Sequence, residues 1–233
     1  MVRAILFDMG GTLDGDGLHW LDRFVALYAA AGLDRPRAVL RDAFDAAERR
    51  AAIDDLISTA GLDAMIDRHV GWQLAHLGVD DSTLRRFLVD GFVQPVRRAS
   101  EANARLLAGL RSRDLLLGVL SNGCGNVDVL CRDLGYTPYL ASVVDSRRVG
   151  LSKPDPAIFV HAAATLGVPP HEVLMVGDSF DRDVRPARAV GMRVAWLEGD
   201  APPPCPDPLL PDLRLRRLAD LPAALDRSAL MVA

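Results

Sequence analysis

From about Ala99 to the end of the chain, short apolar runs alternate with helix-length segments, and this alternation is the clearest pattern in the sequence. Runs of four to six mostly apolar residues predict strands at Ala4–Phe7, Leu115–Leu120, Ala141–Val144, Val173–Val176 and Arg193–Trp196, with a shorter one at Leu213–Leu215. Between them, helices are expected over Glu101–Arg111, Val127–Leu134, Pro156–Leu166, Val184–Val190 and Leu218–Asp226. Strands that are apolar throughout and separated by helices read as a doubly wound, mostly parallel α/β sheet covered on both faces.

Residues 18–92 follow a different rule. They carry no strand pattern, and His19–Ala31, Arg37–Ile53, Leu62–Leu77 and Ser82–Gly91 show the spacing of amphipathic helices. An all-helical cap over 17–92, inserted after the first strand, is therefore expected beside a core formed by 1–16 and 93–233. Gly15-Asp16-Gly17 and Phe92-Val93-Gln94-Pro95 read as its two hinges. The proline-rich stretch Asp200–Pro211 reads as a surface loop.

Composition narrows the partners. At 233 residues, half of them hydrophobic and a quarter charged, the chain suits a core domain plus a smaller one. A net charge of −4 argues against nucleic acid or an anionic membrane as a partner. No apolar run approaches the ~20 residues of a membrane span, and Asp8 interrupts the N-terminal run too early for a signal peptide. Cys124, Cys131 and Cys205 show no paired spacing and fit reduced thiols, so a cytoplasmic location is expected.

In an open parallel sheet, ligands bind beyond the carboxyl ends of the strands. The first four predicted strands all run into polar groups there. They lead to Asp8-Met9-Gly10-Gly11-Thr12-Leu13-Asp14, to Ser121-Asn122-Gly123, to Lys153 and to Asp178-Ser179-Phe180-Asp181-Arg182-Asp183. Singly, each has a structural reading: Asp8 as a turn cap, Ser121-Asn122-Gly123 as turn chemistry, Asp181 or Asp183 as a helix N-cap. Together they bring carboxylates, a hydroxyl and an ammonium to one edge. Paired carboxylates with few histidines suit a hard ion such as Mg²⁺, which binds through carboxylates plus phosphate oxygens. Lysine, hydroxyl and glycine amides suit the remaining phosphate oxygens.

Lys153 stands out further. It is the only lysine among 27 Lys plus Arg residues. Arginine is a wide planar fork, whereas lysine is a compact point charge on a flexible stem, so a site pressing one small cation between two anions accepts only the latter.

With these segments the chain resembles the haloacid dehalogenase-like (HAD) hydrolase superfamily, in its branch with a helical cap after the first strand of a Rossmann-like core. The resemblance rests on FDMGGTLD, LSNG, VGLSKPDPAIF and VGDSFDRDVRPARAVGM, in that order between residues 7 and 192. It implies that Asp8 is a nucleophile forming an aspartyl-phosphate, that Ser121 hydrogen-bonds the transferred phosphoryl group and that Lys153 neutralises charge. It also implies a Mg²⁺ site of Asp8, the Gly10 carbonyl and Asp178, supported by Asp183. Gly11, Thr12, Ser121, Asn122 and Lys153 are then the expected substrate-binding positions. The implied substrate is a small phosphorylated metabolite.

One position departs from the pattern. Phosphatases of the superfamily carry a second aspartate two residues after the nucleophile, which protonates the leaving oxygen and then activates water. Here that position is Gly10. General acid–base assistance is worth typically ~10²–10⁴-fold. Three outcomes are open: Asp14, Asp16 or His19 substitutes, the substrate has a good leaving group, or the protein binds phosphorylated ligands without turnover. A fourth, dehalogenase-type attack on carbon, is disfavoured by Gly177-Asp178-Ser179 and by the absence of tyrosine at position 10. In the cap, Arg49, Arg50, His69, Trp72 and His76 are candidate substrate contacts, although Met65, His69 and Trp72 also fit an apolar packing stripe.

Overall fold

The computed structural model describes every residue except 201–203, 209 and 232–233. Its centre is a six-stranded sheet, parallel throughout, in the order β3-β2-β1-β4-β5-β6. The strands are β1 (Ala4–Phe7), β2 (Leu116–Ser121), β3 (Ser142–Asp145), β4 (Val173–Gly177), β5 (Arg193–Leu197) and β6 (Leu213–Leu215). Each expected strand is present to within about one residue. Alternation within β1 explains why the runs are apolar throughout. Ile5 and Phe7 enter the core shared with the helical insertion, while Ala4 and Leu6 enter the core beneath the opposite face.

The insertion consists of α1 (Trp20–Ala30), α2 (Arg37–Ala51), α3 (Leu62–His76) and the first part of α4 (Ser82–Arg111). The remaining helices are α5 (Val127–Asp133), α6 (Ser146–Val149), α7 (Pro156–Thr165), α8 (Arg185–Ala189) and α9 (Leu221–Arg227). Of the loop expected over Asp200–Pro211, residues 201–203 and 209 lie outside the described residues, and the others form no helix or strand.

The expected hinge at Phe92–Pro95 is corrected. Ser82–Gly91 and Glu101–Arg111 belong to one helix of 30 residues, α4, with Pro95 inside it. The boundary expected between 92 and 93 thus falls within a continuous helix. Gly91, which looked like a breaker, serves packing: a Cβ there would lie 2.5 Å from Cδ2 of Leu27 on α1. On the other side, the segment at Gly15-Asp16-Gly17 is a tight turn in which Asp16 and Gly17 take positive φ. No helix among the described residues is long and apolar enough to cross a membrane.

Candidate active site

The carboxyl ends of β1, β2 and β4 and the loop after β3 meet below the helical insertion. Lys153 is the pivot. Its ammonium lies 2.8 Å from Oδ1 of Asp8 and 2.6 Å from Oδ1 of Asp183, and the side chain is 3 % exposed. Burial works against its charge, but the two carboxylates outweigh burial and raise its pKa. Its backbone is clasped as well. The Lys153 amide donates to Oδ1 of Asn122 and the Asn122 side-chain amide donates to the Lys153 carbonyl, both at 2.8 Å. Asn122 therefore positions Lys153 with both ends of its side chain.

Carboxylate oxygens of Asp8, Asp178 and Asp183 lie within 4.8 Å of one another. Oδ1 of Asp8 accepts from the Met9 amide at 2.7 Å, and Oδ2 of Asp183 accepts from the Ser179 amide at 3.0 Å. Oδ1 of Asp178 accepts from the Thr12 hydroxyl at 3.1 Å. Three carboxylates against one lysine leave a buried excess of negative charge. Desolvation and the neighbouring carboxylates push Asp178 well above the usual range. Desolvation likewise raises Asp183 to about 6 despite its contact with Lys153. An all-oxygen donor set carrying that excess fits a hard divalent cation.

Glycines make this approach possible. A Cβ on Gly11, which has φ +88°, would lie 2.5 Å from Oδ2 of Asp178, and one on Gly177 would lie 2.4 Å from Cγ of Asp183. The loop after β2 is shaped from the adjacent strand end. Oδ2 of Asp145 accepts from the amides of Gly125 and Val127 at 2.9 and 3.1 Å, which curls Ser121–Val127 back toward the site.

The site opens into a cavity of about 460 Å³ between the sheet edge and the helical insertion. Asp8, Gly10, Ser121, Asn122 and Lys153 line its floor. Gly11 and Thr12, expected at the substrate, instead serve other side chains. The Gly11 amide donates to Asp14 at 2.7 Å and the Thr12 hydroxyl goes to Asp178.

The three candidates to replace the missing aspartate separate clearly. Asp14 is buried and fully engaged, accepting from the Gly11 amide and the Trp20 indole at 2.7 Å each and facing Arg23 at 3.6 Å. Asp16 points to the far side, where it accepts from the Leu218 amide. Only His19 lines the cavity. It caps α1 by accepting from the Leu21 amide at 3.2 Å, and Nη2 of Arg182 lies 2.9 Å from its Nε2. The neutral ring has one N–H and one acceptor nitrogen, so it accepts only one of these two donors at a time; burial and then Arg182 lower its pKa. Beside Gly10 stands Trp20, whose Nε1 would be 3.4 Å from a Cβ at that position.

In the insertion, Trp72 packs below Arg50, whose guanidinium lies 5.2 Å from its ring, and His76 pairs with Asp42 at the surface. Neither lines the cavity, nor do Arg49 and Arg50. His69 does, from a buried position beside Phe24 and Phe44. Sequence reasoning missed Trp20, Arg41, Asp45, Glu48 and Arg182, which also line the cavity. Cys124 borders it too, but burial pushes its thiol up to about 12, so it is no nucleophile.

Known proteins resemble this chain in sequence and in fold. The sequence profile of haloacid dehalogenase-like hydrolases matches residues 2–191. The chain is 38 % identical over 143 residues to a phosphoserine phosphatase of Thermus thermophilus, a match spanning 58 % of this chain and 55 % of that protein. It is 30 % identical to an N-acetylmuramic acid 6-phosphate phosphatase of Pseudomonas putida, over 83 % of this chain and 82 % of the relative. A HAD phosphatase structure from Thermococcus onnurineus superposes with a TM-score of 0.56 over 97 % of this chain and 99 % of that one, at 22 % identity, which supports the fold alone.

Proposed function

The chain belongs to the haloacid dehalogenase-like hydrolase family, and from that premise we propose that it is a Mg²⁺-dependent phosphohydrolase acting on a small phosphorylated metabolite through an aspartyl-phosphate on Asp8. The observation that carries this reading is Lys153 held between Asp8 and Asp183 at the floor of a cavity of small-molecule size. Attack on carbon does not call for three carboxylates around one lysine. A phosphoryl dianion beside a divalent cation does.

Asp8, Asp178 and the Gly10 carbonyl would hold the metal, with Asp183 supporting through Lys153. When bound, the ion supplies positive charge for the phosphoryl oxygens. Asp8 attacks phosphorus, and the bond from phosphorus to the ester oxygen breaks. Lys153 screens the nucleophile from the dianion it approaches, and Ser121 donates to a phosphoryl oxygen. Water then attacks the aspartyl-phosphate, releasing inorganic phosphate and restoring the Asp8 carboxylate.

The water must lose a proton, and His19 is the titratable cavity residue suited to take it. Its lowered pKa keeps it neutral at neutral pH, and it can take a proton at Nε2 only in the tautomer protonated on Nδ1, which requires Nδ1 to give up the Leu21 amide and Arg182 to release Nε2. The leaving alkoxide has no comparable acid, so the first step favours esters with better leaving groups.

The test is a panel of phosphate monoesters assayed with Mg²⁺ and with chelator, beside 2-haloacids. Chelator-sensitive release of phosphate is the expected result. Turnover insensitive to chelator, or halide release without phosphatase activity, would overturn the assignment. Acid-quench trapping of radiolabelled phosphate on wild type but not on Asp8→Asn checks the intermediate.

A further inference from the structure

The insertion contains a chain of buried polar side chains that the hydrolytic chemistry does not use. The Tyr28 hydroxyl on α1 donates to Oε1 of Gln73 at 3.3 Å. Nε2 of Gln73 donates to Nδ1 of His69 at 2.8 Å, and Nε2 of His69 is 2.8 Å from Oε1 of Glu48 on α2. The order fixes every proton. A Gln73 amide can only donate to Nδ1, so the His69 proton lies on Nε2 and is given to Glu48. Tyr28, His69 and Gln73 are at most 2 % exposed.

Buried polar groups inside a helical bundle cost stability unless every member is satisfied. A bundle that needed only packing would be served by apolar side chains at these positions. What this chain produces is one carboxylate held at the cavity wall. Glu48 keeps 43 % of its side-chain surface accessible where it lines the cavity. Among the described residues its Oε2 accepts no hydrogen bond. Burial would push Glu48 up, but the hydrogen bond from His69, with the positive charge of Arg182 nearby, holds its carboxyl below the ordinary value. Arg182 contributes by charge and not by contact, since its bonds go to His19 and Ser179.

Asp45, three residues earlier on α2, lines the same wall. The floor of the cavity is thus built for a phosphoryl group, while its helical wall presents Arg41, Asp45 and Glu48, the last of them fixed as a pure acceptor.

We propose that Glu48 is the specificity residue of this cavity and that the substrate is a phosphate monoester whose organic half carries an ammonium group. The proposal rests on the phosphohydrolase reading above. A hydroxyl would satisfy Oε2 as a donor, but an ionised carboxylate with one oxygen unpaired toward the cavity favours a cationic donor over a neutral one. Charge-assisted hydrogen bonds are also roughly twice as strong as neutral ones.

The experiment compares 2-aminoethyl phosphate with ethyl phosphate, which differ only in the ammonium, and includes an aryl phosphate as an indifferent probe. Wild type is expected to favour the amine by about 10–100-fold in kcat/KM, the range given by one charge-assisted hydrogen bond. In Glu48→Gln the new side chain still accepts from His69 through its oxygen but turns an NH₂ toward the cavity. The preference should collapse toward unity, with most of the change in KM. His69→Ala tests positioning and should lower the preference without abolishing it. If Glu48→Gln proves unstable, as judged by its unfolding temperature, Asp45→Asn should lower the same ratio. Equal turnover of the two esters by wild type, or a preference retained in a folded Glu48→Gln, overturns this inference and leaves the phosphohydrolase reading standing. Hydrolysis of none of the three esters overturns both.

Discussion

The floor and the helical wall of the cavity hold their carboxylates by different means. At the floor, Asp8 and Asp183 each bond a neighbouring backbone amide, at 2.7 and 3.0 Å, and Asn122 grips the backbone of Lys153. In the wall, Glu48 is held by side chains alone, through His69 and Gln73 of α3 and Tyr28 of α1. Backbone anchoring tolerates little substitution, because the anchor is the turn itself, and bare glycines at 11 and 177 remove the space for alternatives. Side-chain anchoring can be rewired one residue at a time. On the function proposed above, the floor carries a fixed reaction and the wall a choice of substrate.

The largest effect that sharpens this contrast is expected at the floor. Lys153→Arg should lower kcat by roughly 10²–10³-fold, comparable to losing one preorganised donor at a reacting oxyanion. A guanidinium does not fit where Nζ has carboxylates at 2.8 and 2.6 Å on two sides. Circular dichroism should show an unchanged fold. Near wild-type kcat in this variant would mean that the lone lysine is an accident of composition.

Next comes His19→Gln, which removes the base and keeps a polar side chain at the cap of α1. A loss of about 10²-fold in turnover is expected, concentrated in the second chemical step. Rapid-quench kinetics should then show a burst of product followed by slow release of phosphate. A uniform loss without a burst would place His19 outside the proton path.

The third effect is on stability and follows from the negative excess at the floor. Asp183 titrates at about 6 in the metal-free fold against 3.8 ordinarily, so between these values the folded state holds a proton that the unfolded chain has lost. Stability of the metal-free protein therefore falls as pH rises from about 4 to 6. Mg²⁺ competes with that proton. Its stabilising effect on Tm should be small at pH 5 and several degrees at pH 7.5, by mass action on the folded state alone. Equal Mg²⁺ effects at both pH values would show that these carboxylates do not hold the ion.

The same contrast explains what could be read from the sequence. Asp8, Ser121, Lys153 and Asp178 follow strand ends directly or by a short connection, so locating the strands located them. The wall carries no such punctuation. Glu48 sits in Ala46-Ala47-Glu48-Arg49-Arg50, which reads as a solvated helix face. Only the rotation of α2 against α3 brings it to His69, and no local pattern encodes that rotation. Trp20 was hidden for a related reason: its partner Asp14 lies across a turn whose path depends on the positive φ of Asp16 and Gly17. At Gly91 and Pro95 the breaker residues misled, because the neighbouring helix, not the local propensity, decided the outcome.

The smallest expected effect lies at the far end of the polar chain. Tyr28→Phe removes one hydroxyl and almost no volume, so packing beside Gln73 is retained. What is lost is the donor to Oε1 of Gln73, a buried acceptor left without a partner at a cost of about 1–3 kcal/mol. For a chain of this size each 1 kcal/mol lowers Tm by roughly 2–4 °C. Burial also raises the Tyr28 phenol further above its ordinary value, so the hydroxyl remains a donor at any working pH and the effect should not depend on pH. If the chain exists to aim Glu48, the loss should travel. With Gln73 freed at one end, His69 can rotate, and the preference for 2-aminoethyl over ethyl phosphate should fall alongside Tm, by less than in Glu48→Gln. A lower Tm with an unchanged preference would make the chain a device for packing the bundle and leave Glu48 to be fixed by α2 alone. That outcome would erase the distinction between floor and wall at its weakest point.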